Sequence, residues 1–140
     1  MPKYIKSRKI SKKIVWMEAP DVKKRLLYII SSIGIKSLNI KRIYSLRSIN
    51  SKTRAYARIW GLTSVWQKVL KVQASYIIEV ISEKYDKLPQ TEKDRILLHE
   101  LNHIPKNFSG ALVPHFRKGK RSFKRKLEEL LSLYVRNGNL

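Results

Sequence analysis

The sequence predicts an α+β fold in which a small antiparallel or mixed sheet packs against a histidine-bearing helix, flanked by N- and C-terminal helices. Three observations carry this. Apolar residues recur at helical spacing in two stretches, one opening at Pro20 and one spanning Ser122 to Val135. Three short runs rich in β-branched and aromatic residues, Ile40–Ile49, Thr53–Trp60 and Ser75–Ile81, read as strands. Between the last strand and the last helix lies a periodic stretch that holds two histidines and ends at Pro105. With 140 residues the chain can bury a real core, and it divides into a basic arm over 1–15 and a single domain over 16–140.

In chain order, Ile14–Met17 follows the arm as a short strand. Ala19-Pro20-Asp21 starts a helix whose apolar face is Leu26, Leu27, Ile29, Ile30 and Ile33, and Gly34 stops it. Asn50-Ser51-Lys52 is a turn between the first two long strands, which predicts a hairpin. Within Gly61–Lys71, the spacing of Val65, Trp66, Val69 and Leu70 predicts a short helix. Tyr85–Gln90 turns into the histidine helix. Thr91 is expected to cap that helix, with Glu92 and Asp94 facing its positive end. The last helix turns Phe123, Leu127, Leu130, Leu131 and Tyr134 inward.

The histidine helix contains His99-Glu100-Leu101-Asn102-His103, an HExxH motif. Positions four apart lie one above the other on a helix, so both rings can reach one zinc ion at about 2.0–2.1 Å. Glu100 sits beside them, where a carboxylate can take a proton from water activated by the metal. At about 100° per residue, Leu97, Leu98, Leu101 and Ile104 fall opposite the histidines. The rings therefore face a cleft, and the leucines face the core. A catalytic zinc needs three protein ligands and an open position. The only other histidine is His115, which follows His103 after an eleven-residue gap that contains Gly110 and two prolines. Glu128 and Glu129 are the competing third ligands.

Cysteine is absent, which removes disulfides, thiol nucleophiles and Cys-based metal sites. No apolar segment precedes Pro20 to form a secretory signal, and the longest apolar run, Leu26–Ile35, is too short to span a membrane. These features predict a cytoplasmic protein without a membrane span. The net charge is +21, and twelve basic residues without an acid lie between Val22 and Ile78. Such a field favours DNA, RNA or an anionic membrane surface, although a Lys-rich genome composition produces the same excess. The candidate nucleic-acid contacts are Lys9, Lys12 and Lys13 in the arm and Lys120, Arg121, Lys124 and Arg125 after His115.

The stretches Glu18-Ala19-Pro20-Asp21, Ala55-Tyr56-Ala57-Arg58-Ile59-Trp60-Gly61-Leu62, Tyr76–Ile81 and His99–Pro105 through Ser109-Gly110 to Pro114-His115 resemble a metallopeptidase family of archaea and phages. The chain also looks like a minimal zincin. The late histidine followed by a Phe-bearing helix is similar, at a distance, to SprT-like and WLM-type zincins, which act on proteins attached to DNA. The resemblance implies one Zn²⁺ per chain on His99, His103 and His115, Glu100 as general base, and a peptide or protein substrate. The pattern departs from metzincins, whose Gly and His steps are filled here by Lys106 and Ser109. Tyr76, Tyr134 and Arg117 are candidates for stabilising the transition state. Glu79 is a candidate to orient a ligand histidine, and the strand Tyr76–Ile81 to pair with an extended peptide. Two readings from other classes stand beside this one: a nucleic-acid-associated protein with a structural or vestigial zinc site, and a phage-derived or toxin-like regulator of a protein partner.

Overall fold

The computed structural model describes residues 12–116 and 123–138. Its architecture is α+β, a mixed four-stranded sheet with five helices among the described residues, consistent with a small zincin-like fold. In order these are β1 (Val15–Glu18), α1 (Pro20–Ile33), β2 (Ile43–Ile49), β3 (Ala57–Gly61), α2 (Ser64–Leu70), β4 (Tyr76–Ile81), α3 (Ser82–Tyr85), α4 (Gln90–Leu101) and α5 (Phe123–Arg136). A 3-10 turn at Ile40–Arg42 replaces the first three residues of the strand expected to open at Ile40.

The sheet order is β1-β2-β4-β3. β1 pairs antiparallel with β2, β2 parallel with β4, and β4 antiparallel with β3. This corrects the expected β2–β3 hairpin. The chain does turn at Asn50, whose φ is +66° and whose N–H donates to the Glu83 carboxylate. The segment then carries β3 to the far edge, and β4 inserts between. The reason lies in composition: Tyr76–Ile81 is apolar at every position but one, and such a run is most stable where both faces and both edges are covered.

One sheet face packs on the helices. Ile43, Ala57, Tyr76, Ile78 and Val80 meet Val22, Leu26, Ile29, Ile30 and Ile33 of α1 and Leu97, Leu98 and Leu101 of α4. The α1 set repeats at helical spacing, and Leu27, expected inside, falls off that stripe and is exposed. Gly34 ends α1 at φ +67°, its N–H returning to the Ile30 carbonyl. In α4, the start is Gln90, so Thr91 lies within the first turn and does not cap it. The carbonyl of Pro89 receives Glu92 N–H and Lys93 N–H instead.

Asp94 also departs from its expected place at the helix end. It is buried, accepts from Arg25 Nε at 2.8 Å and Nη2 at 2.7 Å, and receives the Tyr134 hydroxyl at 2.7 Å. It thereby joins α4 to α1 and α5. No helix among the described residues is long and apolar enough to cross a membrane.

Candidate metal centre

The leucine stripe of α4 fixes where its histidines point. Leu97, Leu98, Leu101 and Ile104 are all buried in the core, so His99 and His103 face away from it into a cleft of about 800 Å³. Past α4, the chain folds back along the helix end. Val113 N–H donates to the His103 carbonyl at 2.7 Å, and His103 Nδ1 lies 2.6 Å from the Val113 carbonyl. A carbonyl only accepts, so Nδ1 carries the proton and Nε2 is left with a free lone pair. Two residues later His115 enters the cleft, with its Nε2 at 2.9 Å from His99 Nε2.

One ligand atom from each of the three rings lies within 4.8 Å of the others. Tetrahedral zinc with bonds of about 2.0–2.1 Å wants nitrogens about 3.3 Å apart. That separation falls between the closest pair and the outer bound, so the donor set fits a single ion. Burial, with His103 and His115 alongside, pushes His99 down to about 4, and burial also lowers His103. Both are held in the neutral form that binds metal. Burial alone pushes Glu100, in the same cleft, up to about 8. A divalent cation beside it would favour the carboxylate and reverse that shift.

The loop carrying His115 is clamped from beneath. The Tyr76 hydroxyl is buried; it accepts Gly110 N–H at 2.8 Å and donates to the Ala111 carbonyl at 2.8 Å. Gln67 Nε2 donates to Leu62 O at 2.7 Å and Ser109 O at 2.8 Å. The backbones touch where Gly61 meets Gly110. A Cβ on Gly61 would lie 2.2 Å from Gly110 O, and one on Gly110, whose φ is +95°, would lie 2.1 Å from Leu62 O.

The other sequence candidates lie elsewhere. Tyr76 has its hydroxyl proton committed to the loop and does not line the cleft. Tyr134 is committed to Asp94. Glu79 is buried in the sheet, where it accepts from Arg58 Nε at 2.8 Å and Trp60 Nε1 at 2.9 Å, not from a histidine. Glu128 and Glu129 line a different surface, on α5 with Lys124 and Arg125, outside the three-histidine group. Lys12, Lys13, Lys124 and Arg125 are exposed, while Lys9, Arg117, Lys120 and Arg121 lie outside the described residues.

β4 is paired on both sides, so it cannot take an extended peptide as another strand. The cleft wall is the edge strand β3.

Two contributors were not anticipated in these roles. Arg95 lines the cleft one turn before His99, a position the helical period already places on the histidine face. Phe123 was expected only to point inward. Its ring centroid lies 4.4 Å from that of His103 and 4.9 Å from those of both His99 and His115. Only the return of α5 makes that contact.

Over residues 14–129 the chain matches the family described as "Putative phage metallopeptidase". No curated protein and no solved structure matches it.

Proposed function

The chain belongs to that metallopeptidase family, and from this premise we propose that it is a zinc-dependent peptidase with His99, His103 and His115 as metal ligands and Glu100 as general base. The observation that carries the reading is the convergence of three imidazoles beside a buried carboxyl group, in a cleft bounded by the edge strand β3. Bound zinc would supply Lewis acidity, polarising the scissile carbonyl and acidifying water.

The remaining chemistry belongs to the side chains. Glu100 accepts the proton of the attacking water and passes it to the leaving amine. The Val113 carbonyl keeps the His103 proton on Nδ1, which leaves Nε2 as the atom that would hold the metal. Phe123 packs on all three rings, restricts their rotation and keeps water from that side. Arg95 supplies positive charge where the carbonyl oxygen becomes anionic. An extended substrate adds to the outer edge of β3, the edge strand, through backbone hydrogen bonds. Apolar walls from Ile59, Ile96, Leu112, Leu127 and Leu131 receive its side chains.

The test is metal content measured beside hydrolysis of an unfolded protein. The wild-type chain is expected to hold one zinc and to cleave, and Glu100→Gln to keep the zinc and lose cleavage. His115→Ala should lose most of the zinc, while Glu128→Ala and Glu129→Ala keep it. Cleavage retained in Glu100→Gln, or full zinc in His115→Ala, would overturn the assignment.

A further inference from the structure

Helix α2 is built with its apolar side facing out. Val65, Trp66, Val69 and Leu70 are 71%, 57%, 70% and 53% exposed, and Val72 just beyond is exposed as well. At about 100° per residue these four helix positions form one continuous face. Gln67 is the half-buried exception, and its amide ties the helix to Leu62 and Ser109. The underside is thus polar and hydrogen-bonded, and the apolar side faces water. Single exposed leucines are ordinary, but an outward apolar face on a projecting helix marks a docking surface. Two lysines accompany it. Lys68 and Lys71 are exposed, and Lys71 sits at φ +57°, a left-handed position that glycine fills at lower cost.

We propose that α2 is a docking element for an anionic phospholipid bilayer, with Trp66, Val69 and Leu70 entering the headgroup–acyl boundary and Lys68 and Lys71 on the lipid phosphates. Charge and chemistry together choose this occupant. No acid occurs between Val22 and Ile78, and the whole chain carries +21, so a second copy would meet strong repulsion. Nucleic acid would satisfy the lysines but leave valine and leucine in water, since these side chains have neither a π-face for stacking nor a hydrogen-bonding group. An anionic bilayer offers hydrocarbon and negative charge at one boundary. Tryptophan, apolar with one N–H donor, suits that boundary. Gln67 also ties α2 to the loop that leads to His115.

The experiment mixes the full chain with phosphatidylcholine vesicles, with and without phosphatidylglycerol. Binding is read by co-sedimentation, and insertion by quenching of tryptophan fluorescence with brominated acyl chains. Binding is expected only with phosphatidylglycerol, with quenching that Trp66→Phe largely removes. The double variant Val69→Ser/Leu70→Ser is expected to bind about tenfold more weakly or worse, because it withdraws most of the aliphatic surface. Its melting temperature should match the wild type, since both positions are exposed. Three results would each overturn the proposal. One is no vesicle binding. A second is binding that ignores the double substitution and shows no quenching, which is charge attraction alone. The third is a double variant that loses affinity for single-stranded oligonucleotide, or converts an oligomer to monomer, while keeping its vesicle binding.

Discussion

Tyr76 shows how much one buried hydroxyl can govern at the residue scale. It is buried under the loop, with one hydrogen bond received from Gly110 and one given to Ala111. Tyr76→Phe keeps the ring, and with it the edge contact to Phe108 at 4.9 Å between centroids. It leaves a buried N–H and a carbonyl without partners, which costs about 1–3 kcal/mol. The loop that loosens is the one ending in His115, so zinc affinity should fall about tenfold, as when groups that hold a ligand are removed. A competition titration with a chromophoric chelator reads this directly. Unchanged affinity would mean that His115 is placed by other contacts.

At the scale of elements, the joint between α1, α4 and α5 rests on Asp94. Burial alone would raise its pKa, but the Arg25 guanidinium, the Tyr134 hydroxyl and the Gln90 amide outweigh that and hold it below the ordinary value of 3.8. A carboxylate depressed in the folded state contributes stability at pH above its unfolded pKa and loses it as pH falls through the folded value. Asp21 and Asp86, held low by Arg47, act in the same sense. Asp94→Asn should therefore cost about 1–3 kcal/mol near neutral pH, less than breaking a fully buried pair, because Arg25 is a third exposed. The cost should shrink on acidification below about pH 4. Denaturant melts of both proteins across that range measure the difference. A cost independent of pH would assign the effect to packing instead.

For the whole molecule, a metal held as proposed by His99, His103 and His115 would add to stability by binding the folded chain. Zinc bound to the folded chain alone stabilises it by about 2.7 kcal/mol at a hundredfold excess over Kd. In a domain of this size that should raise Tm by about 5–10 °C. A chelator should reverse the rise and His115→Ala should abolish it, both readable by thermal melting. A rise that survives in His115→Ala would place the bound zinc elsewhere on the chain.

Local periodicity was enough to find four of the five helices among the described residues, and the single turn α3 (Ser82–Tyr85) was the one it did not give. The stripe Leu97, Leu98, Leu101 and Ile104 turns His99 and His103 away from the core whatever surrounds it, because a helix sets the angle between its own side chains. Val22, Leu26, Ile29, Ile30 and Ile33 follow the same rule in α1. The turn at Asn50 was equally legible, but its consequence was not. Which strand β3 joins depends on where the most apolar run, Tyr76–Ile81, loses most contact with water, and that is a property of the assembled sheet. The outward face of α2 has the same origin: its spacing predicts a helix, but only the fixed position of Gln67 against Ser109 decides which side is left in water. The tertiary structure likewise chose the ion pair of Asp94 and the seat of Phe123 on the histidine rings, because each depends on a contact between residues far apart in the chain, which no local pattern encodes.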